Sequence, residues 1–295
     1  MSSSHEKSFG GKWSDTKLAA LREYLHAYTT ALKNTPFQLA YIDAFAGAGM
    51  REIDTSDTTL WFDEELQTDD DSYRHGSPII ALDNQPPFEA FIFIERDPVS
   101  LRKLQDQIQE QTDSGEKRIS YLQGDANAHL KDLADKNWKE HRAVAFLDPF
   151  ALEISWPTLE KIAATQAIDM WLLFPAMAVN RMLPKSGNVP APWANRLTQL
   201  FGEEGWREVF YPKQGEDLFG EEPTAKVPRV FDALSEYVTT RLQTVFAATV
   251  NKPLVLRNTK GAPLFLLCFA CGNPKGAKIA TRIASHIIDT SSHGQ

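Results

Sequence analysis

Five short apolar runs, each followed by a segment with helical spacing of its apolar residues, dominate the chain up to residue 174. Alternation of strands and helices predicts a parallel sheet covered by helices on both faces. Two later runs have the spacing of a hairpin. We therefore expect an α/β fold whose mostly parallel, seven-stranded sheet is closed by this hairpin. The five runs cover residues 38–44, 91–94, 119–123, 143–147 and 168–174, and the hairpin runs cover 254–256 and 264–271.

The length of 295 residues fits one large α/β domain, so residues 1–295 are predicted to form a single domain. A helical N-terminal extension is expected over residues 1–36, because apolar residues recur there at helical intervals and Pro36 then ends the helix. The stretch 179–229 is dense in Pro, Gly and Trp, which predicts a packed insertion, irregular or helical. The chain has no apolar stretch near the ~20 residues of a membrane span and no signal-peptide core. We therefore expect a cytoplasmic protein without membrane contact.

The formal net charge of −8 has one local source. Residues 52–75 contain nine carboxylates and one arginine, so this acidic segment carries the whole excess and the rest of the chain is balanced. Its Asp, Ser and Thr content predicts a loop, a candidate lid or partner-docking segment. Residues 251–288 contain six basic residues and no carboxylate. The acidic total gives no bulk attraction for nucleic acid, whereas the C-terminal stretch offers a local basic surface.

Acidic residues follow the first four apolar runs at the point where each run ends: Asp43, Glu95, Asp125 and Asp148. The carboxyl ends of parallel strands meet at one edge of a sheet, and open α/β sheets bind ligands in the crevice beyond that edge. The four positions together predict one elongated, nucleoside-like ligand lying across several strand ends. For Glu95 and Asp125, a role as helix caps is the alternative.

The glycine turn after the first run narrows the choice of ligand. In the dinucleotide fingerprint G-x-G-x-x-G counted from Gly47, the third glycine would fall at the position of Glu52. The turn also leads into the acidic segment, whereas a pyrophosphate needs neutral or basic surroundings. The P-loop pattern is absent. An NAD-dependent oxidoreductase is therefore disfavoured.

The turn Asp43-Ala44-Phe45-Ala46-Gly47-Ala48-Gly49 resembles the D-x-F-x-G-x-G motif of class I S-adenosylmethionine (SAM)-dependent methyltransferases. The resemblance implies the Rossmann-like class I methyltransferase fold and SAM as cofactor, a ligand with a sulfonium and an ammonium group and no phosphate. It implies that backbone at the two glycines approaches the methionine part, that Glu95 accepts from both ribose hydroxyls and that Asp125 accepts from the adenine amino group. The cofactor-binding residues expected from it are Asp43, Phe45, Ala46, Gly47, Gly49, Glu95, Asp125 and Asp148.

The triplet Asp148-Pro149-Phe150 resembles the [DN]-P-P-[YF] motif of methyltransferases that modify exocyclic amino groups of bases. The resemblance implies that Asp148 and the Pro149 carbonyl accept hydrogen bonds from the target amino group, and that Phe150 stacks on the base. The sequence departs from the motif, since Phe150 stands at the second proline position. An Asp-Pro turn without a catalytic role is the alternative.

Motifs spread over most of the chain resemble the three-Cys-motif partner protein (TcmP) family. The three cysteines of that name belong to its partner, a radical-SAM-like protein of the phage Gp37/Gp68 type, and this chain has only Cys268 and Cys271, within a run predicted as a buried strand. The resemblance implies a SAM-dependent methyltransferase that works with such a partner. A non-catalytic SAM-binding or accessory module is the alternative. The motifs are Gly11-Lys12-Trp13-Ser14 with Lys17 and Tyr24, the glycine turn, Gly76-Ser77-Pro78, Asp148-Pro149-Phe150, the run 168–175 and Asn180-Arg181.

Four further side chains are candidates for contacts with the substrate. Asn180 and Arg181 follow the fifth run, where they could touch substrate or cap a helix. Arg257 and Lys260 would lie near the phosphates of an RNA or DNA substrate if the run 254–256 is parallel to the first five. The seven histidines show no ligand spacing, so no metal site is predicted.

Overall fold

One eight-stranded sheet organises the residues that the structure, a computed structural model, describes: 12–46, 76–111, 117–149, 152–213 and 225–293. In chain order its strands are β1 (Gln38–Asp43), β2 (Ala90–Glu95), β3 (Arg118–Gln123), β4 (His141–Leu147), β5 (Ile168–Phe174), β6 (Ala248–Thr249), β7 (Leu254–Arg257) and β8 (Pro263–Cys271). The helices are α1 (Lys12–Leu32), α2 (Gly76–Leu82), α3 (Pro98–Gln111), α4 (Ala126–Ala134), α5 (Trp156–Ala164), α6 (Ala176–Met182), α7 (Ala191–Phe201), α8 (Trp206–Phe210), α9 (Val230–Gln243) and α10 (Ala277–His293).

The strands lie in the order β3-β2-β1-β4-β5-β8-β6, and β7 also pairs with β8. The strands β1 to β5 are parallel to one another, and β8 runs antiparallel to β5. This confirms the predicted α/β fold with a mostly parallel sheet. The count is eight and not seven because the edge beyond β8 consists of two short strands, β6 and β7, which pair with different parts of β8. Pro253 lies between them and has no N–H to donate to a ladder.

Two hydrophobic cores fill the space between the sheet and its two helical layers. Alternate residues of β4 show the division, since Ala145 and Leu147 face one core and Val144 and Phe146 face the other. The core that contains Phe146 is covered by α1, α2, α3 and α10, and the opposite core by α4 to α9. The strand β5 is buried along its whole length, as expected for a central strand with helices on both faces.

The stretch 179–229 carries the end of α6 together with α7 and α8, and its residues 214–224 lie outside the described ranges. Aromatic packing holds these helices in place. The rings of Phe201 and Phe210 both lie against Tyr237 of α9, with centroids 4.9 and 5.7 Å away. The helices thus add to the core on the α5 side of the sheet.

The two cysteines lie in β8 and are buried. Burial raises the pKa of the Cys268 thiol to about 12, and it also raises the pKa of Cys271. Both thiols therefore stay protonated near neutral pH and belong to the core, as predicted for a buried strand.

Candidate functional site

The carboxyl ends of β1, β2 and β4 meet at one edge of the sheet, called here the carboxyl-end edge. Asp43 is in register with Phe93 of β2 and with Phe146 of β4, so Glu95 and Asp148 each follow two residues beyond that level. From β1 the chain moves outward to β3 on one side, and then to β4 and β5 on the other side. The gap between β1 and β4 is the switch point at which open α/β sheets form a crevice. The register therefore places these three acids at the same edge of the sheet.

The turn after β1 is bonded to both neighbouring strands. The Ala44 amide donates to the Phe146 carbonyl of β4 at 3.1 Å, and the Ala46 amide donates to the Ile94 carbonyl of β2 at 3.0 Å. Ala44 and Ala46 are buried and Phe45 is half-buried. The backbone of this turn is thus fixed at the switch point. The predicted roles of Gly47, Gly49 and the acidic segment 52–75 stay predictions, because these residues lie outside the described ranges.

Asp43, the last residue of β1, is fully buried and incompletely paired. Its Oδ2 accepts from the Tyr41 hydroxyl at 3.1 Å, and its Oδ1 has no hydrogen-bond partner within the described residues. Loss of hydration raises the pKa of Asp43 to about 7; the charge of Asp148 adds to the rise, while the Ser77 and Tyr41 hydroxyls oppose it. A buried carboxylate oxygen without a partner is costly. This atom marks a position that suits a ligand donor.

Asp148 forms an ion pair with a lysine 131 residues earlier in the chain. The ammonium Nζ of Lys17, on α1, donates to Oδ2 of Asp148 at 2.7 Å, and the two side chains are 2% and 13% exposed. The same ammonium lies 5.1 Å from the centroid of the Trp13 ring. Lys17 is absent from the residues predicted for the site. A lysine on the apolar stripe of α1, between Ser14 and Leu21, is the signal that could have identified it.

A short turn joins the ends of β2 and β3. The Gly124 amide donates to the Glu95 carbonyl at 3.0 Å, and the Glu95 carboxylate accepts from the Asp97 amide at 2.7 Å. Gly124 has φ +147°, and a Cβ there would lie 2.7 Å from Nε2 of His129, so this turn requires glycine. Asp125 caps α4 by accepting a backbone amide at 3.0 Å, the role that the sequence leaves open for it. Asp125 is exposed.

Asn127 ties the segment that follows β4 to the start of α4. Its Oδ1 accepts from the Ser155 amide at 2.9 Å and from the Thr158 hydroxyl at 2.8 Å. Its Nδ2 donates to the Glu153 carbonyl at 2.7 Å. Glu153 and Ser155, just before α5, are therefore fixed against α4. Sequence reasoning missed Asn127 because an asparagine in the first turn of a helix gives no distinct signal.

Pro149 borders a small apolar cavity between the sheet and α5. The cavity is also lined by Trp156, Phe174 and Phe201 and has a volume of about 20 Å³, which suits a water-sized molecule and not a nucleobase. Phe150 itself lies outside the described residues, so its predicted stacking role stays a prediction.

Asn180 and Arg181 lie in α6, directly after β5. The Lys226 ammonium donates to the carbonyl and to Oδ1 of Asn180, at 2.8 and 2.6 Å, and to the Leu183 carbonyl at 2.7 Å. Lys226 thus closes the C-terminal end of α6, in line with the helix-end role left open for Asn180. Arg181, in the last turn of α6, is half-buried.

The turn between β7 and β8 lies at the same edge as Asp43. Both β7 and β5 run antiparallel to β8, so β7 is parallel to β5 and ends toward the carboxyl-end edge. The run 254–256 is therefore parallel to the first five strands, which is the condition on which the predicted placement of Arg257 and Lys260 depends. Arg257 and Lys260 are exposed, and the Arg257 guanidinium donates to the Gly261 carbonyl at 3.0 Å.

Metal clusters and membrane-spanning helices are absent from the part of the chain that the structure describes. Within that part, no three His, Cys, Asp or Glu side chains group in a way that could hold a metal ion. No described helix combines the length and the apolar composition that crossing a membrane requires.

No family model matches the chain, and no curated protein matches it. Among solved structures, protein LPL1258 of Legionella pneumophila, of family DUF519, is 15% identical over 78% of this chain and 93% of that one, with a TM-score of 0.39. The Escherichia coli protein yhhF, a candidate methyltransferase by name, is 16% identical over 58% and 74%, with a TM-score of 0.27. YcgJ of Bacillus subtilis is 10% identical over 84% and 95%, with a TM-score of 0.31. Likenesses at these identities and TM-scores give no basis for assigning an activity.

Proposed function

We propose that this protein is a SAM-dependent methyltransferase. The observation that carries the proposal is the row of carboxylates at the carboxyl-end edge, Asp43, Glu95, Asp125 and Asp148, together with the buried Oδ1 of Asp43, which has no partner among the described residues. This donor set fits a cationic nucleoside ligand. It does not fit phosphates, which a row of carboxylates repels.

SAM supplies, when bound, a methyl group activated by a positively charged sulfur. At the end of β2, Glu95 would accept hydrogen bonds from ribose hydroxyls, and Asp125 after β3 would accept from the adenine amino group. The backbone of residues 44–46, bonded to β2 and β4, would border the methionine part. An ionised Asp43 would balance the positive charge of the ligand, which in turn favours its ionisation.

The proposed acceptor is an exocyclic amino group of a nucleobase in RNA or DNA. The Asp148 carboxylate, beyond the end of β4, can accept a hydrogen bond from such a group and thereby orient it. Exposed Arg257 and Lys260 at the same edge, together with the six basic residues of 251–288, support a polyanionic substrate. Such side chains bind phosphates and position a nucleic acid without reading its sequence.

We further propose that the chain works with a three-Cys-motif, radical-SAM-like partner protein. The family motifs that suggest this partner meet in the fold: Lys17 contacts Asp148, and Tyr24 contacts Asp169. Motif residues that are far apart in sequence thus form two direct contacts. This pairing supports the interpretation of the motifs as one set.

A non-catalytic SAM-binding or accessory module is the second candidate function. The ion pair between Lys17 and Asp148 favours it, because a carboxylate that anchors α1 needs no catalytic role. Loss of methyl transfer in Asp148→Asn with unchanged SAM affinity would support the enzyme. Undiminished cellular function of the same variant would support the accessory module.

Calorimetry with SAM, with S-adenosylhomocysteine and with NAD tests the cofactor first. Failure to bind both SAM and S-adenosylhomocysteine contradicts the proposal, and binding of NAD alone supports an oxidoreductase. Transfer of labelled methyl groups from SAM to total cellular RNA, DNA and protein, with and without the partner, then tests the acceptor. We expect label in RNA or DNA. Label in protein alone contradicts a nucleobase acceptor.

A further inference from the structure

We propose that Lys17 is a positioning residue for this reaction: its ammonium holds and orients the Asp148 carboxylate at the end of β4, which makes α1 part of the active site. The inference rests on the proposed function, because Asp148 is assigned there to accept a hydrogen bond from the acceptor group. It concerns two atoms of the chain itself, Nζ of Lys17 and Oδ2 of Asp148, which lie 2.7 Å apart.

The burial of Lys17 makes this contact strong. Its side chain is 2% exposed, and an ammonium removed from water requires a nearby anion. A separation of 2.7 Å is that of a charge-assisted hydrogen bond, the shorter and stronger kind. Asp148 is 13% exposed, so the carboxylate and not the ammonium is the member of the pair that borders solvent.

Docking of α1 on the sheet does not by itself explain an ion pair at this position. Trp13, Leu18 and Leu21 already bury the same side of the helix. Buried ion pairs can often be replaced by apolar side chains with little loss of stability. Tyr24 also joins α1 to the sheet, by donating to Asp169 at 2.8 Å. The charge of Lys17 thus lies beside the crevice, next to the Asp148 carboxylate that is proposed to orient the acceptor group.

The groups around Asp148 show what the ammonium does. Asp43 of β1 is a second carboxylate, and the two negative charges disfavour each other. Tyr41 of β1 and Ser77 of α2 contribute neutral hydroxyls to the same cluster. Lys17 of α1 contributes a positive charge. Without it, the Asp148 carboxylate would lose its charge-assisted hydrogen bond and the contact that fixes its orientation.

Four variants separate positioning from packing. Lys17→Met removes the charge, Lys17→Gln keeps a donor without the charge, and Lys17→Arg keeps the charge. Tyr24→Phe is the matched control, since it removes another polar contact of α1 with the sheet, that with Asp169, without touching Asp148. We expect Lys17→Met to lower kcat about 100-fold, with SAM affinity within about threefold of the wild type. The kcat pH profile of Lys17→Met should also differ from that of the wild type.

Rescue distinguishes this role from a structural one. Lys17→Arg should recover most of the lost kcat and the wild-type pH profile, because the positive charge returns. Tyr24→Phe should lower Tm and leave the pH profile unchanged. Lys17→Gln should move the pH profile as Lys17→Met does, with a smaller loss of kcat, because the amide still orients Asp148. If Lys17→Met does not fold, the same measurements of kcat and its pH profile on Lys17→Gln test the proposal.

The carboxyl ¹³C signal of aspartate-labelled protein gives a readout that needs no turnover. The Asp148 signal is assigned by its loss in Asp148→Asn. We expect its chemical shift at neutral pH to change in Lys17→Met and Lys17→Gln, which lose the ammonium contact, and to stay unchanged in Tyr24→Phe.

The two proposals fail in different ways. If the wild type methylates no acceptor while the Asp148 carboxyl shift changes in the Lys17 variants, the proposed function is contradicted and the contact of Lys17 with Asp148 is supported. If the wild type is active and Lys17→Met keeps its kcat, its pH profile and its Asp148 carboxyl shift, the positioning role is overturned and Lys17 only packs α1.

Discussion

Two buried aspartates at opposite edges of the sheet are paired very differently. At the start of β5, Asp169 accepts from the Tyr24 hydroxyl at 2.8 Å and from the Gly272 amide at 3.2 Å. At the end of β1, Asp43 accepts from Tyr41 through Oδ2 and leaves Oδ1 without a partner among the described residues. A buried carboxylate with both oxygens bonded serves the fold, whereas one with an unpaired oxygen suits a ligand. The comparison thus distinguishes a structural edge, where β5 begins, from a candidate binding edge, which is the carboxyl-end edge that contains Asp43.

The backbone around Asp169 is built for full pairing. A Cβ at Gly272 would lie 2.4 Å from the Ile168 carbonyl oxygen, so glycine is needed for the amide to approach Asp169. Burial raises the pKa of Asp169, while Cys271, Tyr24 and Gly272 oppose the rise by hydrogen bonding. All of these donors belong to the chain, so Asp169 needs no ligand to complete its contacts.

The largest expected effect is on the free energy of unfolding when Asp43, at the binding edge, is replaced. The pKa of Asp43 rises from 3.8 to about 7 on folding, which places a disfavoured charge in the native state at higher pH. Asp43→Asn should therefore raise the free energy of unfolding near pH 8 by up to about 4 kcal/mol. The gain should shrink as the pH falls through 7 and vanish below about pH 4, where the carboxyl is protonated in both states. Urea unfolding of the ligand-free protein across this range measures it.

The same variant should bind SAM about 100-fold more weakly, because the neutral amide cannot balance a cationic ligand. An equal stability gain at every pH would show that charge is not the cause. Unchanged SAM affinity in Asp43→Asn would show that Asp43 takes no part in SAM binding.

The opposite edge should respond in the opposite sense. Asp169→Ala leaves the Tyr24 hydroxyl and the Gly272 amide buried without an acceptor, so the free energy of unfolding should fall by about 3 kcal/mol. Asp169→Asn should cost less, since one oxygen can still accept from Tyr24. Denaturant unfolding measures the loss, and calorimetry should show unchanged SAM affinity in the folded variant. A lower SAM affinity in the folded Asp169 variants would contradict the assignment of Asp169 to a purely structural role.

The sequence predicts most strands of the sheet because each of these strands is marked by an apolar run within its own residues. Strand β5 was predicted with its observed ends, 168–174, since a continuous apolar run has clear boundaries. Strand β6 was missed, because two residues, Ala248 and Thr249, carry no pattern of their own. The acids at the strand ends were predicted as a group for the same local reason.

The partners of those acids could not be predicted from the sequence. Lys17 and Asp148 are 131 residues apart, and Tyr24 and Asp169 are 145 residues apart. Helical periodicity shows which side of α1 is buried, but not which strand that side meets. Contacts of this kind depend on the crossing of α1 over the sheet, which is a property of the whole fold.

The smallest expected effect concerns the basic side chains at the binding edge. Replacing Arg257 and Lys260 together by glutamate should weaken binding of an RNA or DNA oligonucleotide about tenfold and reduce the salt dependence of binding by about two units of slope. Fluorescence anisotropy at several salt concentrations measures both. The control is the same double replacement at Lys136 and Lys139, exposed residues near the amino end of β4. Equal losses in the two variants would indicate a general charge effect and no site.

The central claim is that Asp43 and its neighbouring carboxylates form a crevice for a cationic nucleoside. It is tested most directly by calorimetric titration with SAM near pH 6, in two buffers of different ionisation enthalpy. Asp43, with a pKa of about 7, should be mostly protonated there and should ionise when the ligand binds. We predict binding with release of close to one proton by the wild type and no such release by Asp43→Asn. Binding without proton release, or no binding of SAM and S-adenosylhomocysteine, would contradict the account.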